Sequence, residues 1–144
     1  MEKDIRQSIT DYKMPRYICE ILCNHYAKAF LDMTIICEND TYIFSYDKKN
    51  KRRLVYRELT EIDKLQLVQT LIMINDNNCQ MLIGAERYLI EPELIYSVRN
   101  RTDYNSIGIL FYPDTTMTPF NIKLMRFMDK IGTKNKKKAI NCFE

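Results

Sequence analysis

Tryptophan is absent from this 144-residue chain, glycine occurs three times, proline four times and histidine once. Gly84, Gly108 and Gly132 lie too far apart to build a glycine-rich loop that cradles phosphates, because such a loop needs its glycines within a few residues of one another. The single histidine, His25, follows Cys19 and Cys23. A zinc site asks for four ligands in characteristic spacings, so these thiols, four residues apart, read instead as one face of a helix. No run approaches the roughly 20 apolar residues of a membrane span, and the start, Met-Glu-Lys-Asp-Ile-Arg, lacks the apolar middle of a signal peptide. The default location is therefore the cytoplasm.

What is present describes one globular domain. Hydrophobic residues make up 46% and charged residues 28%, outside the ranges of disordered and membrane chains. Ten tyrosines and six phenylalanines suggest a core that includes β-structure. The five cysteines, Cys19, Cys23, Cys37, Cys79 and Cys142, are odd in number and scattered, and are expected as reduced core residues.

Along the chain, residues 1–16 show little hydrophobic periodicity and are closed by Pro15, as an arm or a short edge strand. From Tyr17 to Leu31 the apolar positions Ile18, Ile21, Leu22, Tyr26, Ala29 and Phe30 recur at steps of three and four, which predicts an amphipathic helix. Met33 to Cys37 and Thr41 to Tyr46 flank Glu38-Asn39-Asp40 as a hairpin, with Tyr42, Phe44 and Tyr46 on one face. Asp47 to Arg53 then holds five basic residues in seven. With a net charge of only +3, this run reads first as a solvated loop, and second as a contact for phosphate or anionic lipid headgroups.

Thr60 is placed to cap a long helix, with Glu61 and Asp63 in its first turn. That helix runs at least to Asn75, and Asp76-Asn77-Asn78 either breaks it before Cys79 to Ile83 or forms its wet face. Leu94 to Val98 and Ile107 to Tyr112 form a second hairpin, entered through Pro92 and left through Pro113. Thr118 and Pro119 open a third helix, with the apolar stripe Phe120, Leu124, Phe127, Met128 and Ile131 and a stop at Gly132. The expected organisation is one α+β domain over residues 17–132, ordered helix, hairpin, central helix, hairpin, helix, followed by a basic tail or linker over 133–144.

The Leu-rich central helix, the segment Tyr-Leu-Ile-Glu-Pro-Glu-Leu-Ile-Tyr, the strand ending Phe-Tyr-Pro-Asp and the earlier Tyr-Ile-Phe-Ser-Tyr-Asp together carry a resemblance. They resemble a family of small kinase-like domains of low-GC Gram-positive bacteria, of unknown function and often N-terminal to forkhead-associated domains. The group is similar to the cytoplasmic pseudokinase domain of the type VII secretion protein EssB/YukC. The resemblance covers about residues 17 to 131 and implies a truncated protein-kinase-like module. Placing Pro92 and Glu93 on the Pro-Glu of a kinase catalytic loop puts Arg87, Tyr88 and Leu89 where His-Arg-Asp would stand, and Leu94 where the metal-binding Asn would stand. Phe111, Tyr112 and Pro113 replace Asp-Phe-Gly, and the nearest carboxylate, Asp114, comes three residues late.

Leucine neither accepts a proton nor holds magnesium, so the resemblance implies a catalytically inactive protein-interaction module without cofactor or metal. Its partners would be proteins, including membrane-associated secretion machinery at the inner face of the membrane. Tyr42, Arg52, Arg53, Tyr96 and Tyr104 are the candidate partner-binding residues. Two other classes stay open. A small nucleic-acid-binding protein would use Arg52, Arg53, Lys136 and Lys137. An enzyme of unrelated mechanism would use His25 with Cys23 or Asp114.

Overall fold

The structure is a computed structural model that describes residues 5–10 and 12–133. Cys142, Lys136, Lys137 and, apart from Thr133, the expected basic tail lie outside the described residues. Within them the fold is α+β, with two antiparallel three-stranded sheets and three helices.

The first sheet has β1 (Ile5–Thr10), β2 (Asp32–Glu38) and β3 (Thr41–Asp47) in the order β1-β3-β2. Asn39 and Asp40 carry positive φ of 48° and 63°, and Glu38 pairs with Thr41. Asx side chains tolerate this left-handed backbone, which matches the two-residue turns that follow strand twist. Alternation along β3 sends Phe44 and Tyr46 into the core and leaves Tyr42 half-buried.

Helix α1 (Arg16–Cys23) is shorter than its apolar spacing predicts. It ends at Asn24, whose side-chain amide donates to the Glu20 carbonyl at 2.7 Å, and His25 follows at φ 60°. Of the apolar residues beyond, Tyr26 is exposed, whereas Ala29, Phe30 and Leu31 are buried for a different reason. Ala29 to Leu31 run as a clip alongside the second hairpin: the Ile109 N–H donates to the Ala29 carbonyl at 2.8 Å and the Leu31 N–H donates to the Ile109 carbonyl at 2.9 Å. A helix over this stretch would have forfeited both bonds.

The second sheet contains β4 (Arg52–Arg53), β5 (Ile95–Ser97) and β6 (Ile107–Ile109), with β5 in the middle. Ile95, Tyr96 and Ser97 are all buried. Gly108 faces Tyr96 in register, and a Cβ there would come within 2.8 Å of both Leu31 Cδ2 and Lys51 Cδ. Because Leu31 is itself buried, Gly108→Ala is expected to cost about 1–3 kcal/mol, read from a urea midpoint. An unchanged midpoint would mean that Leu31 and Lys51 move aside freely.

Helix α2 (Glu61–Gln80) opens with a reciprocal capping box. The Asp63 N–H donates to Thr60 Oγ1 at 3.1 Å and the Thr60 N–H donates to Asp63 Oδ2 at 3.0 Å. Asp76-Asn77-Asn78 does not break the helix, and the stretch from Cys79 to Ile83 forms no strand. Asn78 is buried and donates to the Tyr88 hydroxyl at 3.2 Å, while Asn77 donates to the Tyr104 hydroxyl at 2.8 Å. Polar residues on α2 thus anchor the second hairpin, and Thr70 adds a bond to the Thr102 carbonyl at 2.6 Å.

Helix α3 (Phe120–Ile131) buries the expected stripe and also Lys123. Gly132, at φ 74°, ends it, with Thr133 N–H bonded to the Met128 carbonyl at 3.2 Å. Thr118 does not cap α3; its N–H and hydroxyl are taken up in the turn around Asp114. None of the four described cysteines is fully buried, although Cys19 packs against the core. Cys19 and Cys23 are half-buried, Cys37 and Cys79 exposed, and all four are free thiols.

Three aromatic rings join the two sheets. Phe30 meets Tyr88 edge-on at 4.9 Å and Phe111 edge-on at 5.2 Å. The Tyr46 hydroxyl donates to the Phe111 carbonyl, tying β3 to the exit of the second hairpin.

Candidate functional site

Three exposed arginines, Arg52, Arg53 and Arg99, line one cleft where β4 meets the β5–β6 connection. Arg52 and Arg53 sit opposite Ser97 and Tyr96 on a two-residue edge strand, so their backbones are fixed while both side chains stay exposed. Beyond β5 the chain turns back through Arg99 and Asn100, at φ 55° and 60°, with the Arg101 N–H bonded to the Val98 carbonyl at 3.1 Å. Asn100 locks this turn. Its Oδ1 accepts from the Val55 N–H at 2.8 Å and its Nδ2 donates to the Val55 carbonyl at 3.2 Å. The result is a cleft of about 420 Å³ into which Arg52, Arg53 and Arg99 contribute, with Asn50, Ser97 and Glu58 on its walls. An adjoining cleft of about 480 Å³ shares Arg52 and Arg53 and reaches Ile5 and Lys48.

The sequence-predicted partner residues are only partly brought together. Arg52, Arg53 and Tyr96 meet, but Tyr96 is 2% exposed because it lies on the central strand of its sheet. Its ring belongs to the core, and only its hydroxyl reaches out, accepting from Arg53 Nε at 3.2 Å. Tyr96 therefore orients Arg53. Tyr42 stands on the first sheet, stacked on Phe44 at 6.1 Å with its hydroxyl accepting from the Met14 N–H, and Tyr104 is held by Asn77. Neither lines the arginine clefts. Arg99 joins the site without having been expected. The signal was the Asn beside it, a residue suited to left-handed backbone between two strands.

A second polar centre lies at the exit of the hairpin. Asp114 and Lys123 form a buried ion pair, Nζ to Oδ2 at 2.6 Å, with side-chain exposures of 4% and 6%. The Asp114 Oδ1 accepts from the Thr116 N–H at 2.9 Å and the Thr116 hydroxyl at 2.6 Å, and its Oδ2 also accepts from the Thr118 N–H at 3.2 Å. Lys123 donates further to the carbonyls of Ala85 at 2.6 Å and Tyr88 at 2.5 Å. Burial pushes the Asp114 carboxyl up, but the bonds from Lys123 and Thr116 and the charge of Lys123 outweigh it and hold the group down at about 2. Burial pushes the Lys123 ammonium down, and Asp114 offsets part of that. With three acceptors for its three donors, the ammonium is fully paired. Lys123 was legible in one respect: it stands three residues after Phe120 and one before Leu124, on the apolar face of α3.

His25 pairs with neither Cys23 nor Asp114. Its Nδ1 lies 3.5 Å from Asp32 Oδ1, and Lys49 Nζ lies 2.5 Å from Asp32 Oδ2, beside a cleft of about 370 Å³. Burial raises the Asp32 carboxyl, whereas the Lys49 bond and the charges of His25, Lys49 and Lys51 lower it, and the lowering prevails. Among the described residues no group of three or more His, Cys, Asp and Glu is placed to hold a metal ion, and no helix is long and apolar enough to cross a membrane. No protein-family model and no curated protein matches the chain.

Proposed function

We propose that this chain is a catalytically inactive, pseudokinase-like interaction domain that works by binding a protein partner. The observation that carries this reading is the state of Asp114. Under the kinase registration it is the carboxylate nearest the metal position, and its oxygens accept from Lys123, Thr116 and Thr118 inside the fold. A magnesium ion there would have to displace a buried ion pair and three hydrogen bonds. The order of helix, hairpin, central helix, hairpin and helix also suits a truncated kinase-like frame, extended by the edge strand β1. Leu89 and Leu94 stand where the base and the metal-binding amide would be needed.

The partner envisaged is a component of type VII secretion or a related signalling complex at the cytoplasmic face of the membrane. Titration calorimetry with magnesium and ATP tests the inactive half of the proposal: no heat of binding is expected, and a micromolar dissociation constant would overturn it. Affinity purification from the native host, with the membrane fraction retained, tests the partner half. Recovery of secretion-machinery or forkhead-associated proteins is the expected result.

A further inference from the structure

We propose that the cleft of Arg52, Arg53 and Arg99 binds a phosphorylated serine or threonine side chain on a partner protein. The inference rests on the reading of the chain as a binding domain and names the chemistry of what it binds. Guanidinium groups offer a planar fork of donors that matches phosphate oxygens in pairs, which a lysine ammonium does not. Here three of them come from two separately fixed elements. Arg52 and Arg53 are held by pairing with β5, and Arg99 is held on a turn clamped by Asn100 to Val55. The backbone at all three arginines is therefore ordered before binding, and only side-chain freedom remains to be lost, which favours affinity for a small group. The bond from Arg53 Nε to Tyr96 uses one of its five N–H groups and sets the direction of the rest. Arg99 also occupies a left-handed conformation that arginine adopts at a cost, and such strain concentrates at functional positions.

Shape and charge select among anions. At about 420 Å³ the cleft exceeds the needs of an isolated ion and falls in the range that holds a small ligand, here a phosphorylated side chain and its neighbours. Glu58 on the same wall opposes a continuous run of phosphates such as a nucleic-acid backbone, and a concave site does not meet a flat lipid surface. The same carboxylate suits a peptide in which one phosphate is flanked by a basic residue.

Fluorescence anisotropy with a labelled Lys-Ala-phosphothreonine-Ala-Lys peptide and its unphosphorylated twin tests this on the full chain. The phosphopeptide is expected to bind at least about tenfold more tightly than its twin. Arg52→Glu with Arg53→Glu is expected to abolish that binding. Arg99→Asn, which keeps a residue at ease in the left-handed conformation, is expected to weaken it about tenfold without disturbing the fold. Circular dichroism checks each variant. Equal affinity for both peptides, or phosphopeptide binding that survives loss of the arginines, would overturn the proposal. So would arginine-dependent binding confined to phosphatidylserine vesicles or single-stranded DNA. Loss of phosphopeptide binding with the chain still inert to magnesium and ATP removes this inference alone, and nucleotide binding with phosphopeptide binding intact removes the inactive-domain reading alone.

Discussion

Asp114→Asn is expected to destabilise the domain by about 3–5 kcal/mol, because it leaves the Lys123 ammonium buried without a counter-charge. For a domain of this size that lowers the thermal midpoint by about 10–17 °C. Lys123→Met in the same background removes the stranded charge and is expected to recover most of the loss, so a double-mutant cycle separates the ion pair from the packing. A single Asp114→Asn variant within about 1 kcal/mol of the parent would mean that the ammonium is hydrated or uncharged there. The pair also fixes the acid limit. The Asp114 carboxyl titrates at about 2 in the folded state, below the ordinary value of 3.8, so its stabilisation is complete above pH 4 and lost as the pH falls towards 2. Between those pH values the contribution amounts to about 2 kcal/mol. In Asp114→Asn that part of the acid transition is expected to vanish.

Phe111→Ala is the second large effect, about 3–5 kcal/mol from the cavity left by a ring with no exposed surface. The ring touches Phe30 from the clip and lies 5.8 Å from Tyr88, so the void opens where the two sheets are joined. Phe111→Leu keeps most of the volume and is expected to cost less than half as much, by the same denaturant measurement. A cost below about 1 kcal/mol for the alanine variant would show that neighbouring rings collapse into the space. Position 111 is thus committed to packing.

The elements were legible where local chemistry decides them. Asn39-Asp40 followed by alternating aromatics specifies the first hairpin, Thr60 with Asp63 specifies the start of α2, and Gly132 specifies the end of α3. The failures occur where distant residues decide. Ala29, Phe30 and Leu31 keep helical spacing, yet the open backbone of Ile109 claims them as a strand-like clip. Asn78 looks like a breaker until Tyr88 supplies a buried partner. Lys123 is ordinary on a surface helix, and only Asp114 with the carbonyls of Ala85 and Tyr88 makes its burial tolerable. At the candidate site the run Asp47 to Arg53 marked Arg52 and Arg53, but the third arginine is delivered by a turn whose conformation depends on Val55. Tyr96 was misjudged because a strand's central place in a sheet is a property of pairing, which one strand's residues do not encode.

The clip has a consequence for how the domain comes together and falls apart. Sheet one closes within the first 47 residues, whereas joining Phe30 to Ile109 closes a long loop that encloses both α2 and the second hairpin. Contacts of that separation are entropically late, so the rate-limiting step of folding is expected to precede the docking of residues 29–31. Once docked, the amides of Leu31 and Ile109 exchange with solvent only when both sheets let go together, which makes these two protons gauges of the whole domain's opening rather than of a frayed edge.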